Sequence, residues 1–174
     1  MGKKILSKLD GILNFIIGAL IFVMTIFLLW VLLLGVSLNN VEAAPQPPTK
    51  PDVTLTPGVV DPNATVGKVC TPNYTTTVRN VPNSLKKKVF AEYNIDPKSD
   101  KFEIDHLISL ELGGSNDIKN LWPQSYTTIP YNAHSKDALE NKLHRMICEK
   151  KITMTEAQNE IVTDWITAYQ KYVK

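Results

Sequence analysis

The chain has 174 residues, 44% of them hydrophobic and 21% charged, with 19 basic and 17 acidic side chains and a formal net charge of +2. After residue 44 there are 16 basic and 15 acidic side chains, which excludes the strong positive field of a chromatin or repressor protein. Any affinity for nucleic acid must then come from local patches and a metal ion.

Lys3, Lys4 and Lys8 precede an uncharged run from Phe15 to Val36, rich in Ile, Leu, Phe and Val. At about 1.5 Å per residue such a helix spans roughly 33 Å, enough to cross a hydrocarbon core of about 30 Å. The lysines predict a cytoplasmic N-terminus (residues 1–14), a transmembrane segment over 15–36 and translocation of everything beyond it. Val41-Glu42-Ala43 supplies small residues for signal-peptidase cleavage after Ala43. The apolar run is longer than the usual signal-peptide core of about 7–15 residues, which favours an uncleaved signal anchor over a released protein. In both cases the soluble part lies outside the cytoplasm, periplasmic or extracellular.

Residues 37–66 hold six of the eleven prolines with little apolar period and read as a Pro/Thr-rich linker. The remainder, 67–174, is one domain of ordinary small size. Its two cysteines, Cys70 and Cys148, form an isolated pair that an oxidising compartment would bridge.

Within the domain, Ser84 is placed to cap a helix from Leu85 to Tyr93 that Asp96-Pro97 ends. Lys101 to Leu107 reads as a strand, with Phe102 and Ile104 alternating against Glu103 and Asp105. Gly113-Gly114 and Asn116-Asp117 make a turn, and Asn120 to Trp122 a short return strand. A helix follows from about Ser135 to Lys150, its core face Leu139, Leu143, Met146 and Ile147. Thr155-Glu-Ala-Gln158 has the capping-box pattern of a last helix, which carries Ile161, Val162, Trp165, Ile166, Tyr169 and Tyr172 at helical spacing.

Residues 103–123 carry the chemistry: Glu-Ile-Asp-His-Leu-Ile-Ser-Leu-Glu-Leu-Gly-Gly-Ser-Asn-Asp-Ile-Lys-Asn-Leu-Trp-Pro. An imidazole can take a proton from water at neutral pH. A hard divalent cation beside it can neutralise charge developing on phosphate. The stretch resembles the first half of the HNH (ββα-metal) nuclease motif, Asp-His-x-x-Pro-Leu-x-x-Gly-Gly-Ser-Asn-Asp-x-x-Asn-Leu-x-Pro. The resemblance covers about 35 residues closely. It implies an α+β fold, a small ββα-metal core with flanking helices, and metal-dependent endonuclease activity on DNA with low sequence preference, RNA being left open. His106 would be the general base, Asp105 a metal ligand, and Asn120 the amide that pins the loop and orients the base.

The last ligand is expected near the start of the following helix, in Tyr131-Asn-Ala-His-Ser-Lys-Asp137. His134 is the natural choice and Asn132 the alternative. Lys136 and Arg145 are candidate phosphate contacts. His144, one turn after Glu140, reads as that carboxylate's helix-face partner rather than a ligand. Trp122 and Trp165 read as core. The cofactor implied is one divalent ion, Mg²⁺ or Mn²⁺ first and Zn²⁺ or Ni²⁺ as alternatives. The partners are DNA and the membrane, and no protein partner is required. No Cys-x-x-Cys is present for the zinc knuckle that braces some such domains, so the disulfide is expected to do that bracing. The competing reading is a non-catalytic module on the same fold that grips DNA or a cell-envelope partner.

Overall fold

In the computed structural model the described residues are 2–33, 48–96, 98 and 101–174. The chain divides into two units, Met1–Gln46 and Pro47–Lys174. The first contains one helix, α1 (Gly2–Leu33). Its window Leu13–Trp30 has a mean hydropathy of 2.4, long and apolar enough to cross a membrane or to act as a signal sequence. Phe15, Phe22, Phe27 and Trp30 all stand exposed along it. The expected end of the span at Val36 and the Ala43 cleavage site lie outside the described residues.

The second unit combines helices with a two-stranded antiparallel sheet. Short helices α2 (Val66–Val69) and α3 (Tyr74–Val78) lead into α4 (Asn83–Glu92). Strands β1 (Phe102–His106) and β2 (Leu121–Ser125) pair next, followed by α5 (Ala133–Cys148) and α6 (Met154–Tyr172). The register sets Asp105 opposite Trp122 and His106 opposite Leu121. The return strand is longer than expected, and all five of its residues are buried.

Leu139, Leu143 and Ile147 repeat along α5 at helical spacing and meet Ala157, Ile161, Trp165 and Ala168 of α6, with Ile108 and Leu112 below them. Met146 stays only half-buried beside that face. Trp122 and Trp165 are both core residues, as expected. Asp164 leaves helical geometry inside α6, and its carboxylate then accepts hydrogen bonds from Ile166 N and Thr167 N, restarting the helix.

Three local expectations are corrected. Helix α4 starts at Asn83 after Pro82, with no side-chain cap, so Ser84 lies inside it. The capping box of α6 is Thr153 with Glu156, two residues earlier than expected, because Ile152 is drawn towards the core before the helix begins. Most of the described part of the proposed linker belongs to the domain. Trp165 Nε1 donates to Thr49 O at 3.0 Å, and buried Thr56 donates to Leu121 O at 2.9 Å. Val60 bridges Gly114. The prolines gave this stretch no period, but extended chain can still satisfy its backbone groups on a neighbour. The cysteines are joined, Cys70 to Cys148, with 5.7 Å between Cα atoms. The bridge ties the end of α2 to the end of α5.

Candidate active site

Strand β1 delivers Asp105 and His106 at its last two positions, and the loop that follows is held shut by one amide. Asn120 is fully buried. Its Oδ1 accepts from Ile108 N at 3.0 Å and Val59 N at 3.3 Å, while Nδ2 donates to Ile108 O at 3.0 Å and Ser115 O at 2.8 Å. Gly114 lies so close that a Cβ there would stand 1.7 Å from the Ile108 carbonyl oxygen. The glycine is therefore required by backbone approach at this position. Asn120 thus occupies a loop-pinning position, and its path to His106 runs through the backbone of residues 107 and 108, since Leu107 N also donates to Asn120 O at 2.7 Å.

His106 is 1% exposed. Its Nε2 lies 3.1 Å from Asn116 Oδ1. The orientation of that amide is fixed by the backbone on its far side: Nδ2 donates to Val78 O at 2.8 Å, and Asn80 N donates to Oδ1 at 3.1 Å. An amide oxygen can only accept, so Nε2 carries the proton and Nδ1 the lone pair. Nδ1 has no hydrogen-bond partner among the described residues. Burial lowers the His106 pKa from 6.5, against the opposing pull of Asp105 and Asn116. The ring is neutral at neutral pH, with one acceptor nitrogen.

Successive strand residues project to opposite faces, and Asp105 faces α5. Its Oδ2 accepts from Lys136 Nζ at 2.7 Å, whereas Oδ1 carries no hydrogen bond among the described residues. Lys136 is completely buried and also donates to His106 O at 2.7 Å and to Glu140. Burial alone would lower its pKa, but the Asp105 and Glu140 carboxylates outweigh it and hold the ammonium charged. Lys136 is therefore not a solvent-facing phosphate contact; its position on the core face of α5 overrides its polarity. Around this pair the carboxyls of Glu140, Glu103 and Asp137 are all raised, each chiefly by burial and further by Asp105. Tyr126 donates to Glu103 at 2.8 Å, and burial with that carboxylate pushes its phenol up to about 12.

The other candidates stand at varying distances from this centre. The His134 side chain is 74% exposed, stacks at a tilt on Tyr126 and has Nδ1 3.9 Å from Asp137. Asn132 caps α5, its Oδ1 accepting from Ser135 N at 3.3 Å. Arg145 is exposed about 13 Å along the helix from Lys136, in a groove with Lys142, Lys151 and Lys171. His144 does not pair with Glu140, which Lys136 has taken. Its Nδ1 faces Glu111 at 3.8 Å, and its Nε2 lies 2.9 Å from Val69 O and 3.5 Å from Cys148 Sγ. Cys70, His144 and Cys148 form the one group of three metal-binding side chains with mutually close donor atoms among the described residues.

Sequence reasoning missed Asn116, Glu103, Asp137 and the inward turn of Lys136. The i,i+4 spacing of Lys136 and Glu140 was a visible signal of pairing; their burial was not.

Asp105 Oδ1 is open, and three further carboxyls crowd one ammonium. A hard divalent ion on this side would draw on Asp105, Asp137 and His134, whose donor atoms do not stand together as a group of three among the described residues. Comparison of the chain with models of protein families, with curated proteins and with solved structures returns no match.

Proposed function

We propose that the chain is a membrane-tethered, metal-dependent endonuclease of the HNH type that cleaves DNA outside the cytoplasm. The observation that carries this reading is the tautomer of His106: Asn116 holds the proton on Nε2, which leaves a neutral, uncommitted Nδ1. That is the requirement for a general base at neutral pH.

His106 Nδ1 takes the proton from the attacking water, and Asn116 retains the Nε2 proton so that the ring cannot swap roles. Asn120 and Gly114 keep the strand end rigid, which holds the imidazole in line with a phosphate bound across it. Lys136 occupies one oxygen of Asp105 and leaves Oδ1 as the free donor. When bound, the divalent ion supplies Lewis acidity towards the phosphate and its leaving oxygen. Since Asp105 and His106 start on opposite faces of β1, the substrate must lie over the strand terminus, where both faces can be reached. The apolar α1 suits an anchor with translocation of the domain, and the Cys70–Cys148 bridge suits an oxidising compartment.

A second reading, a non-catalytic binding module on the same frame, draws on Lys136, whose ammonium already satisfies one oxygen of Asp105. Plasmid nicking by the full chain in detergent separates the two. The nuclease reading expects cleavage with Mg²⁺ or Mn²⁺ and none in EDTA. Retention of DNA without cleavage under any divalent ion supports the binding module, and undiminished cleavage in EDTA contradicts the metal-dependent mechanism.

A further inference from the structure

The disulfide region holds a second set of donor atoms, independent of the strand-end site. Cys70 ends α2, while His144 and Cys148 stand one turn apart on α5. In a tetrahedral zinc site, ligands about 2.0–2.3 Å from the metal stand roughly 3.5–3.8 Å from one another. His144 Nε2 is already 3.5 Å from Cys148 Sγ, and the three donor atoms lie within 4.8 Å of each other. The Cα atoms of the cysteines are 5.7 Å apart, so two thiolates can reach one ion by side-chain rotation. Glu111 lies 3.8 Å from His144 Nδ1, on the ring edge away from the sulfurs. Drawn in to hydrogen-bond distance, that carboxylate would make the carboxylate–histidine–metal relay, in which the outer carboxylate fixes the tautomer. A groove of about 470 Å³, lined by Cys70, Glu111, Asn141 and His144, opens the cluster to solvent.

We propose that this cluster is an interchangeable staple: a disulfide under oxidising conditions and a Cys₂His zinc-type site once the bridge is reduced. A dithiol reductant supplies two electrons and two protons to the S–S bond and becomes a disulfide, whereas a phosphine supplies the two electrons and becomes its oxide, the oxygen and both protons coming from water. Binding the ion releases both thiol protons. His144 moves its ring proton from Nε2, beside the Val69 carbonyl, to Nδ1, facing Glu111. The fourth position goes to water from the groove. In either state α2 is pinned to the C-terminal end of α5.

Cobalt(II) is the probe, added anaerobically to the full chain in detergent before and after phosphine reduction. The oxidised chain is expected to show no thiolate-to-cobalt charge transfer. The reduced chain is expected to take one cobalt per chain with a tetrahedral spectrum that zinc bleaches. His144→Ala, which still forms the disulfide and so can be checked for folding when oxidised, should bind at least tenfold more weakly after reduction. Glu111→Gln should weaken binding by about 10- to 100-fold. A reduced wild type that binds cobalt no better than reduced His144→Ala overturns the proposal. So does equal binding by a Cys70→Ser, Cys148→Ser double variant, or a loss of helical signal on reduction that the metal does not reverse.

Discussion

The two faces of β1 are built on different principles. On the Asp105 face, one buried ammonium stands among four carboxyls, and three of these are pushed up by burial and mutual repulsion. On the His106 face, an uncharged amide positions the imidazole, and burial pulls its pKa down. One pleated strand therefore presents a charged side and a side on which the imidazole is held neutral. Alternation separates two environments that would spoil each other if merged, since a cation against the imidazole would lower its basicity and a carboxylate against it would raise its pKa and favour the charged ring.

The largest effect should come from breaking what both faces share. Gly114→Ala places a methyl into the Ile108 carbonyl and should abolish cooperative unfolding, read by circular dichroism; a normal melt would show the loop to be adaptable. Next comes the contrast between faces. Lys136→Met strands Asp105 and Glu140 without their cation and should cost about 3–5 kcal/mol. Asn116→Ala removes neutral hydrogen bonds at a partly exposed site and should cost about 1 kcal/mol. Chemical denaturation of the two variants measures the gap, and equal losses would erase the distinction between the faces.

The pH dependence sharpens it further. His106 has a depressed folded pKa, so its contribution to stability is complete above the unfolded value of 6.5 and is lost as pH falls through the folded value. Lys136 has a raised pKa, so its contribution is complete below 10.5 and is lost as pH rises through the folded value. The raised carboxyls oppose the His106 trend at acid pH, so the difference between wild type and His106→Ala isolates it. That difference should shrink below pH 6.5; a flat difference would mean the imidazole is not desolvated.

The smallest effects concern the start of α5, where His134 and Asn132 stand. His134→Ala should leave stability unchanged, because the ring is 74% exposed, while weakening Mn²⁺ binding in calorimetry. Asn132→Ala should cost about 1 kcal/mol as a lost helix cap with metal affinity intact. If Asn132→Ala loses the metal and His134→Ala keeps it, the two roles are exchanged.

The hairpin, α5, α6 and the Cys70–Cys148 bridge were legible in the sequence because each rests on period, turn residues or compartment. Asp105, His106 and Asn120 were singled out as a group by the resemblance of their segment to the HNH motif. The polar partners were not. Lys136 has the composition of a surface residue, and only the close approach of α5 to β1 makes its burial tolerable. Asn116 sits in a turn that its sequence marks, but its hold on His106 depends on where residues 78–80 cross the loop. His144 was assigned to Glu140 by helical spacing, and the ion pair with Lys136 outcompeted it. Residues 49–66 looked like a spacer because extended, proline-rich chain shows no period even where it is packed.

The central claim is that His106 is the base for metal-dependent phosphodiester cleavage. The most direct measurement is the rate of plasmid nicking in Mn²⁺ by the full chain and by His106→Ala, compared at equal metal occupancy. The claim requires a loss of about 10²- to 10⁴-fold in His106→Ala, with metal binding retained and EDTA silencing both. Nicking by His106→Ala at the wild-type rate would contradict it.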